Sequence, residues 1–151
     1  MKEYAIIVAG GSGSRMQSKT PKQFLLLAGR PILMHTIDAF RAYSENITIL
    51  LVLPQQAIET WNSLCHTFDF NDDVKVIAGG NTRFQSVKNG LESIPDGDSL
   101  VAIHDGVRPL VRPEIISASF RLSQIHGSAV ASTRLKESLR QVDKDQTKSI
   151  D

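Results

Sequence analysis

The sequence predicts an α/β domain: a mostly parallel sheet with helices on both faces. Three observations carry that expectation. Short apolar runs recur with stretches of helical spacing between them, as in consecutive strand–helix units. One of these runs, Ile47–Leu53, is apolar at almost every position, as a strand covered on both faces must be. The first run, Tyr4–Ala9, leads directly into a loop with three glycines in four positions, Gly10 to Gly13.

Tyr4–Ala9 is the first strand. Ile32–Tyr43 follows Gly29-Arg30-Pro31 and reads as a helix, with Pro31 near its start and Leu33, Ile37 and Phe40 on one side. Ile47–Leu53 is the second strand, stopped by Pro54. Gln55–Phe68 shows helical spacing through Ile58, Trp61, Leu64 and Cys65, and Val74–Ala78 is a third strand. Asn81 or Thr82 can cap a helix over Arg83–Ile94, whose Val87, Leu91 and Ile94 form an apolar stripe. Ser99–His104 is a fourth strand, Pro113–His126 a helix and Ala129–Ser132 a fifth strand. Residues 1–135 thus form the α/β domain. Residues 136–151 differ, with eight charged positions in sixteen and only Leu139, Val142 and Ile150 strongly apolar.

The chain's 151 residues suit one domain, which at this size buries roughly 68–70% of its unfolded surface. Seventeen basic residues against sixteen acidic leave a net charge of +1, without the basic excess of a nucleic-acid-binding domain. Cys65 is the only cysteine, so neither a disulfide framework nor a cysteine zinc site forms within one chain. The N-terminal apolar run is too short for a signal peptide, and no stretch approaches the ~20 apolar residues of a membrane helix. The expected location is the cytoplasm.

Chemistry concentrates in Ala9-Gly10-Gly11-Ser12-Gly13-Ser14-Arg15-Met16, followed by Pro21-Lys22-Gln23. Glycines let consecutive backbone N–H groups turn inward around an anion. Arg15 adds a planar guanidinium fork and Lys22 a compact mobile charge. The P-loop pattern is not matched, and the dinucleotide spacing fails because Met16 stands where its third glycine belongs. A glycine cluster alone reads as a strand-to-helix turn; with two cations at this spacing it reads as a triphosphate cradle. Two further segments fall after the third and fourth strands: Gly79-Gly80-Asn81-Thr82-Arg83-Phe84-Gln85-Ser86-Val87 and His104-Asp105-Gly106-Val107-Arg108-Pro109. Open parallel sheets bind ligands beyond the carboxyl ends of their strands, so the three segments are expected to converge. Arg83 and Ser86, three apart at a helix start, share a face. Asp105 at a strand end is a natural hard-oxygen ligand for Mg²⁺, although an Asp-Gly pair is often only a turn. His104, His35, His66 and His126 read as structural or surface residues.

These three segments, in this order, resemble the signature of sugar-phosphate nucleotidyltransferases, and more narrowly the 2-C-methyl-D-erythritol 4-phosphate cytidylyltransferases of the non-mevalonate isoprenoid pathway. The resemblance implies a Rossmann-like nucleotidyltransferase fold. It also implies transfer of CMP from CTP to the polyol phosphate, with release of pyrophosphate. It makes Arg15 and Lys22 catalytic, and puts the nucleotide on Ala9, Gly10, Gly11, Ser12, Gly13, Ser14, Gly80, Asn81, Arg83 and Ser86. Within that set the Gly80 backbone and the Ser86 hydroxyl would meet cytosine, with Asn81 near the ribose. The acceptor would contact Asp105, Arg108 and Ser138, and Asp105 would be the Mg²⁺ ligand. Residues 136–151 would begin a protruding arm through which a homodimer forms; otherwise they are a frayed terminus.

Other readings share parts of this pattern. Ribitol 5-phosphate cytidylyltransferases carry all three motifs. Metal-dependent glycosyltransferases need Asp-x-Asp after a strand, and Asp143-Lys144-Asp145 lies instead in the polar tail. A nucleotide-binding domain without turnover is the third reading. Chains of the resembled family continue well past residue 151 and carry there an arginine and a phosphate-binding lysine, and Ser138 replaces their commoner threonine. The chain by itself is therefore expected to bind CTP·Mg²⁺ weakly and form little product.

Overall fold

The computed structural model describes residues 1–10, 20–134, 139–143 and 146–150. Four strands form one parallel sheet: β1 (Lys2–Val8), β4 (Thr48–Leu53), β5 (Val74–Ala78) and β6 (Ser99–Asp105), in the order β5-β4-β1-β6. Ile6 lies opposite Leu50 on one side and Ile103 on the other, so β1 is flanked along its length. The expected class, a parallel sheet with helices, is the one observed.

Both faces of β1 and β4 are covered, which is why their sequences do not alternate. Ala5 and Ile7 join Ile49 and Leu51 in one core. Helices α1 (Ile32–Tyr43), α2 (Ile58–Thr67) and α4 (Pro113–His126) close that core with Leu33, Ile37, Phe40, Trp61, Ile116 and Phe120. On the opposite face Tyr4, Ile6, Val8, Leu50 and Val52 form a second core, covered by Val87 of α3 (Arg83–Glu92). Burial of a branched or aromatic side chain contributes about 1.5–3 kcal/mol. Phe40, Leu33, Ile37, Ile6 and Leu51 are at most 1% exposed, so the sheet centre anchors the fold.

Local chemistry sets the helix ends. Thr82 Oγ1 accepts the Gln85 N–H at 3.1 Å, which makes Thr82, not Asn81, the cap of α3. Pro113 opens α4, and Gly127 closes it in the left-handed region at φ 83°. Arg41 ties the far end of the sheet together. Its guanidinium reaches Asp72 at 2.8 and 3.0 Å and the carbonyls of Ile47 and Asp73 at 2.6 and 2.8 Å.

Several expectations are corrected. Residues 55–57 form a 3₁₀ turn ahead of α2 rather than its first turn. No strand forms over Ala129–Ser132: strands persist through their ladders, these residues pair with nothing among the described residues, and Val130 is 90% exposed. An unforeseen ribbon joins β2 (Leu26–Leu27) to β3 (Arg30–Pro31). Its two loop residues, Ala28 and Gly29, both take positive φ, as a tight hairpin turn of the primed type requires. Towards the end of the chain, β7 (Leu139–Asp143) and β8 (Gln146–Ile150) pair antiparallel as a two-stranded sheet of their own. No helix among the described residues is long and apolar enough to cross a membrane.

Candidate functional site

Three backbone hydrogen bonds carry the ladder one rung past the strands. Ala9 N–H donates to Val52 O at 2.9 Å, Gly79 N–H to Leu53 O at 2.7 Å and Gly106 N–H to Val8 O at 2.9 Å. These bonds bring the starts of all three sequence segments to the carboxyl ends of the parallel strands. Gly11, Ser12, Gly13, Ser14 and Arg15 lie outside the described residues, as does Ser138. Ala9 and Gly10 mark where the first loop begins. Lys22 is exposed at the start of a 3₁₀ turn, which the buried side chains of Gln23 and Phe24 seat on the core.

Gly106 is a glycine because the backbone passes too close to the core for a side chain. A Cβ there would come within 2.8 Å of Ala9 Cβ and 2.9 Å of Leu33 Cδ1. Its carbonyl accepts Thr36 Oγ1–H at 2.9 Å, from a threonine of α1 that is fully buried. Thr36 thereby fixes the turn that carries Asp105. Nothing in the sequence marked it, since a threonine inside an apolar helix stripe carries no signal of a partner 70 residues away.

Asp105, expected to be open to a metal, is held by two arginines. Arg83 Nη2 donates to one carboxylate oxygen at 3.1 Å and Arg108 Nε to the other at 2.8 Å. Burial pushes this carboxyl up, but the two guanidinium bonds and charges outweigh it and hold Asp105 below the usual carboxylate range. Arg83 and Ser86 do not share a target despite their spacing. Arg83 reaches across to β6, whereas Ser86 is 2% exposed and turns inward. The Ser86 hydroxyl donates to Thr82 O at 3.0 Å and accepts the Gly80 N–H at 3.1 Å. Gly10 faces it: a Cβ on Gly10 would stand 3.8 Å from Ser86 Oγ. Asn81 is exposed on the same turn.

Beside the Asp105 cluster a cavity of about 520 Å³ opens between β6 and α4, lined by His104, Arg83, Arg108, Val111 and Phe120 among others. His104 stands edge-on to Phe40, with ring centroids 5.2 Å apart, and its buried Nδ1 has no hydrogen-bond partner among the described residues. Burial lowers its pKa, the charge of Asp105 pulls it back up in part, and the charge of Arg108 lowers it further. It is a neutral, structural histidine, as the sequence suggested.

The donor set can be tested against a divalent cation. Among the described residues no three His, Cys, Asp or Glu side chains gather, so an all-protein cage is absent there. Each Asp105 oxygen has two lone pairs and accepts one N–H from an arginine, leaving room for one more ligand on each. A single ionised carboxylate fits Mg²⁺, which keeps waters and substrate phosphates as its other ligands.

Known proteins resemble this chain in sequence and in fold. A sequence model of the 2-C-methyl-D-erythritol 4-phosphate cytidylyltransferases matches residues 4–150. The enzyme of that name from Porphyromonas gingivalis is 50% identical over 150 residues, covering 99% of this chain and 66% of the relative. A ribitol-5-phosphate cytidylyltransferase from Streptococcus agalactiae is 39% identical over 143 residues, 92% of this chain and 60% of that protein. The crystal structure of 4-diphosphocytidyl-2C-methyl-D-erythritol synthase from Anaerococcus prevotii superposes with a TM-score of 0.79 at 26% identity, over 95% of this chain and 60% of its own. The chain spans about two thirds of the length of the curated relatives it matches.

Proposed function

Since the chain belongs to the 2-C-methyl-D-erythritol 4-phosphate cytidylyltransferase family, we propose that it forms the nucleotide-binding part of an enzyme that transfers CMP from CTP to 2-C-methyl-D-erythritol 4-phosphate. The observation that carries this reading is that three loops leave the same, carboxyl end of the parallel sheet. The loops follow β1, β5 and β6, with Arg83 and Arg108 gathered on Asp105 beside them.

The chemistry needs little beyond positioning and charge. A phosphate monoester oxygen of the acceptor, already largely ionised at neutral pH, attacks the α-phosphorus of CTP. A new P–O bond forms, the bond from the α-phosphorus to the oxygen bridging the β-phosphate breaks, and pyrophosphate leaves with that electron pair. No general base is required. The residues of this chain neutralise charge on the phosphates and hold them in line, the electrostatic strategy of phosphoryl transfer. Lys22 and Arg15 take the triphosphate, with Ala9 and residues 10–14 as its backbone cradle. Gly80, Asn81 and Ser86 take the nucleoside, and Arg83 its phosphate side. Arg108 and Asp105, with Ser138, take the acceptor. Mg²⁺, held by Asp105 and the phosphates, would supply further charge neutralisation at the transferring group.

The enzyme acts in the cytoplasm, where CTP is made, and as a homodimer. An isolated two-stranded hairpin is marginal in water, so β7 and β8 gain stability by packing on a second subunit. Ribitol 5-phosphate is the competing acceptor, raised by the Streptococcus agalactiae relative. Pyrophosphate release by the protein carrying this chain, assayed with CTP and each acceptor in turn, tests the assignment. Release with 2-C-methyl-D-erythritol 4-phosphate alone is expected; release only with ribitol 5-phosphate would reassign the substrate.

A further inference from the structure

The turn from β5 into α3 is shaped from one side by that helix. β5 is one of the two edge strands of the sheet, so among the described residues one row of its peptide groups has no strand to pair with. In a trans peptide the N–H and C=O point in opposite directions. Gly79 N–H points to Leu53 O on β4, so the carbonyl of the same peptide, Ala78 O, points to the open edge. Asn89 meets it there, donating Nδ2–H at 2.9 Å. The other end of that side-chain amide, Asn89 Oδ1, accepts Gln85 Nε2–H at 2.8 Å. With both ends engaged, one amide orientation satisfies both bonds. The Gln85 stem also lies against Gly80, where an added Cβ would meet Gln85 Cγ and Cβ at 2.0 and 2.5 Å. Together with Ser86 Oγ on the Gly80 N–H, three side chains of α3 hold consecutive peptide groups of the turn.

We infer that Asn89, oriented by Gln85, is a positioning residue for base selection: it touches no nucleotide but fixes the main chain that does. The inference rests on the proposed nucleotide reading. Cytosine and uracil differ by exchanging a donor for an acceptor at one ring position and the reverse at the next. A peptide group rejects the wrong pattern only while it is held; one free to rotate presents N–H or C=O as needed. The Ala78 carbonyl anchors the first peptide of the Gly79-Gly80 turn, and Asn89 is its only hydrogen-bond donor among the described residues.

The test is the ratio of CTP to UTP affinity, measured by calorimetry on the 151-residue chain well below its melting temperature. Asn89→Asp keeps the shape but turns a carboxylate oxygen on the Ala78 carbonyl; the ratio should fall about tenfold, the loss of one well-placed hydrogen bond. Gln85→Ala releases the amide without touching the carbonyl and should lower the ratio by about two- to threefold. Lys88→Ala, on the same helix and paired with Glu92 at 3.5 Å, should leave it unchanged. Helix destabilisation alone would weaken both nucleotides alike. A selective parent whose Asn89→Asp and Gln85→Ala variants are equally selective overturns the assignment, and if Asn89→Asp fails to fold, Gln85→Ala decides. A parent that binds CTP and UTP alike overturns the nucleotide reading itself, and this inference with it.

Discussion

Thr36→Val isolates the contact that fixes the Asp105 turn to the helical layer. The two side chains have nearly the same volume, so the packing of α1 on the core survives, but the hydroxyl is replaced by a methyl group. The Gly106 carbonyl then loses a 2.9 Å hydrogen bond in a place where both partners are buried. Leaving a buried acceptor unmet costs about 1–3 kcal/mol. For a chain of this size each kcal/mol moves the melting temperature by about 2–4 °C, so the midpoint should fall by roughly 2–12 °C. Urea unfolding followed by circular dichroism reads the same quantity as a lower midpoint at unchanged slope. Thr36→Ser is the rescue variant: it keeps the hydroxyl and forfeits one methyl, about 0.8 kcal/mol. Thr36→Val should therefore be the more damaging of the two. If it is as stable as the parent, or less damaging than Thr36→Ser, the hydroxyl does not hold the turn and the reasoning fails.

Three further outcomes follow from the same structure. Lys22→Ala should depress turnover by about 10²–10³, the usual cost of one preorganised charge contact, and unchanged kinetics in a folded variant would remove Lys22 from the cradle. Asp105→Asn should raise the Mg²⁺ concentration needed for half-maximal activity. It should cost little stability, since exposed ion pairs such as those with Arg83 and Arg108 contribute about 0.2–1 kcal/mol each; an identical metal titration would leave Asp105 as an arginine anchor alone. Tyr43 is pushed up from 10.0 to about 12 by burial and by its hydrogen bond to Glu3, at 2.9 and 3.0 Å. A raised folded pKa means this group's stabilisation is complete below pH 10 and is lost as pH climbs toward 12. Tyr43→Phe should flatten that part of the stability profile, and an unchanged alkaline slope would contradict the bond.

The fold was readable where side-chain period and punctuation agree. The bounds of α1, β5 and α4 match the sequence reading because Pro31, Pro113 and Gly127 mark real caps or stops and the apolar residues repeat with the right spacing. The fifth strand was over-read, since a short run of small apolar residues does not say whether a neighbour exists to pair with. The β2–β3 ribbon was missed because it is two residues a side and turns at Ala28, a residue that rarely takes φ 49°. In the site, the three glycine- or charge-bearing segments were legible as motifs. What sequence could not supply is who holds them. Thr36 to Gly106, Asn89 to Ala78 and Arg83 to Asp105 are contacts across 70, 11 and 22 residues. Each is made by a side chain whose local surroundings look ordinary. Ser86 shows the same limit: it lies in the first turn of α3, and its hydroxyl is engaged with the backbone of Gly80 and Thr82.

If this chain holds CTP as proposed, a single titration reveals it. Calorimetry of the purified 151-residue chain with CTP, UTP and ATP in the presence of Mg²⁺ should show saturable binding of CTP at one site. UTP and ATP should bind more weakly, and the CTP signal should shrink on replacing Lys22 by alanine. Equal binding of all three nucleotides, or no CTP binding by a chain that circular dichroism shows to be folded, would rule out a CTP site here.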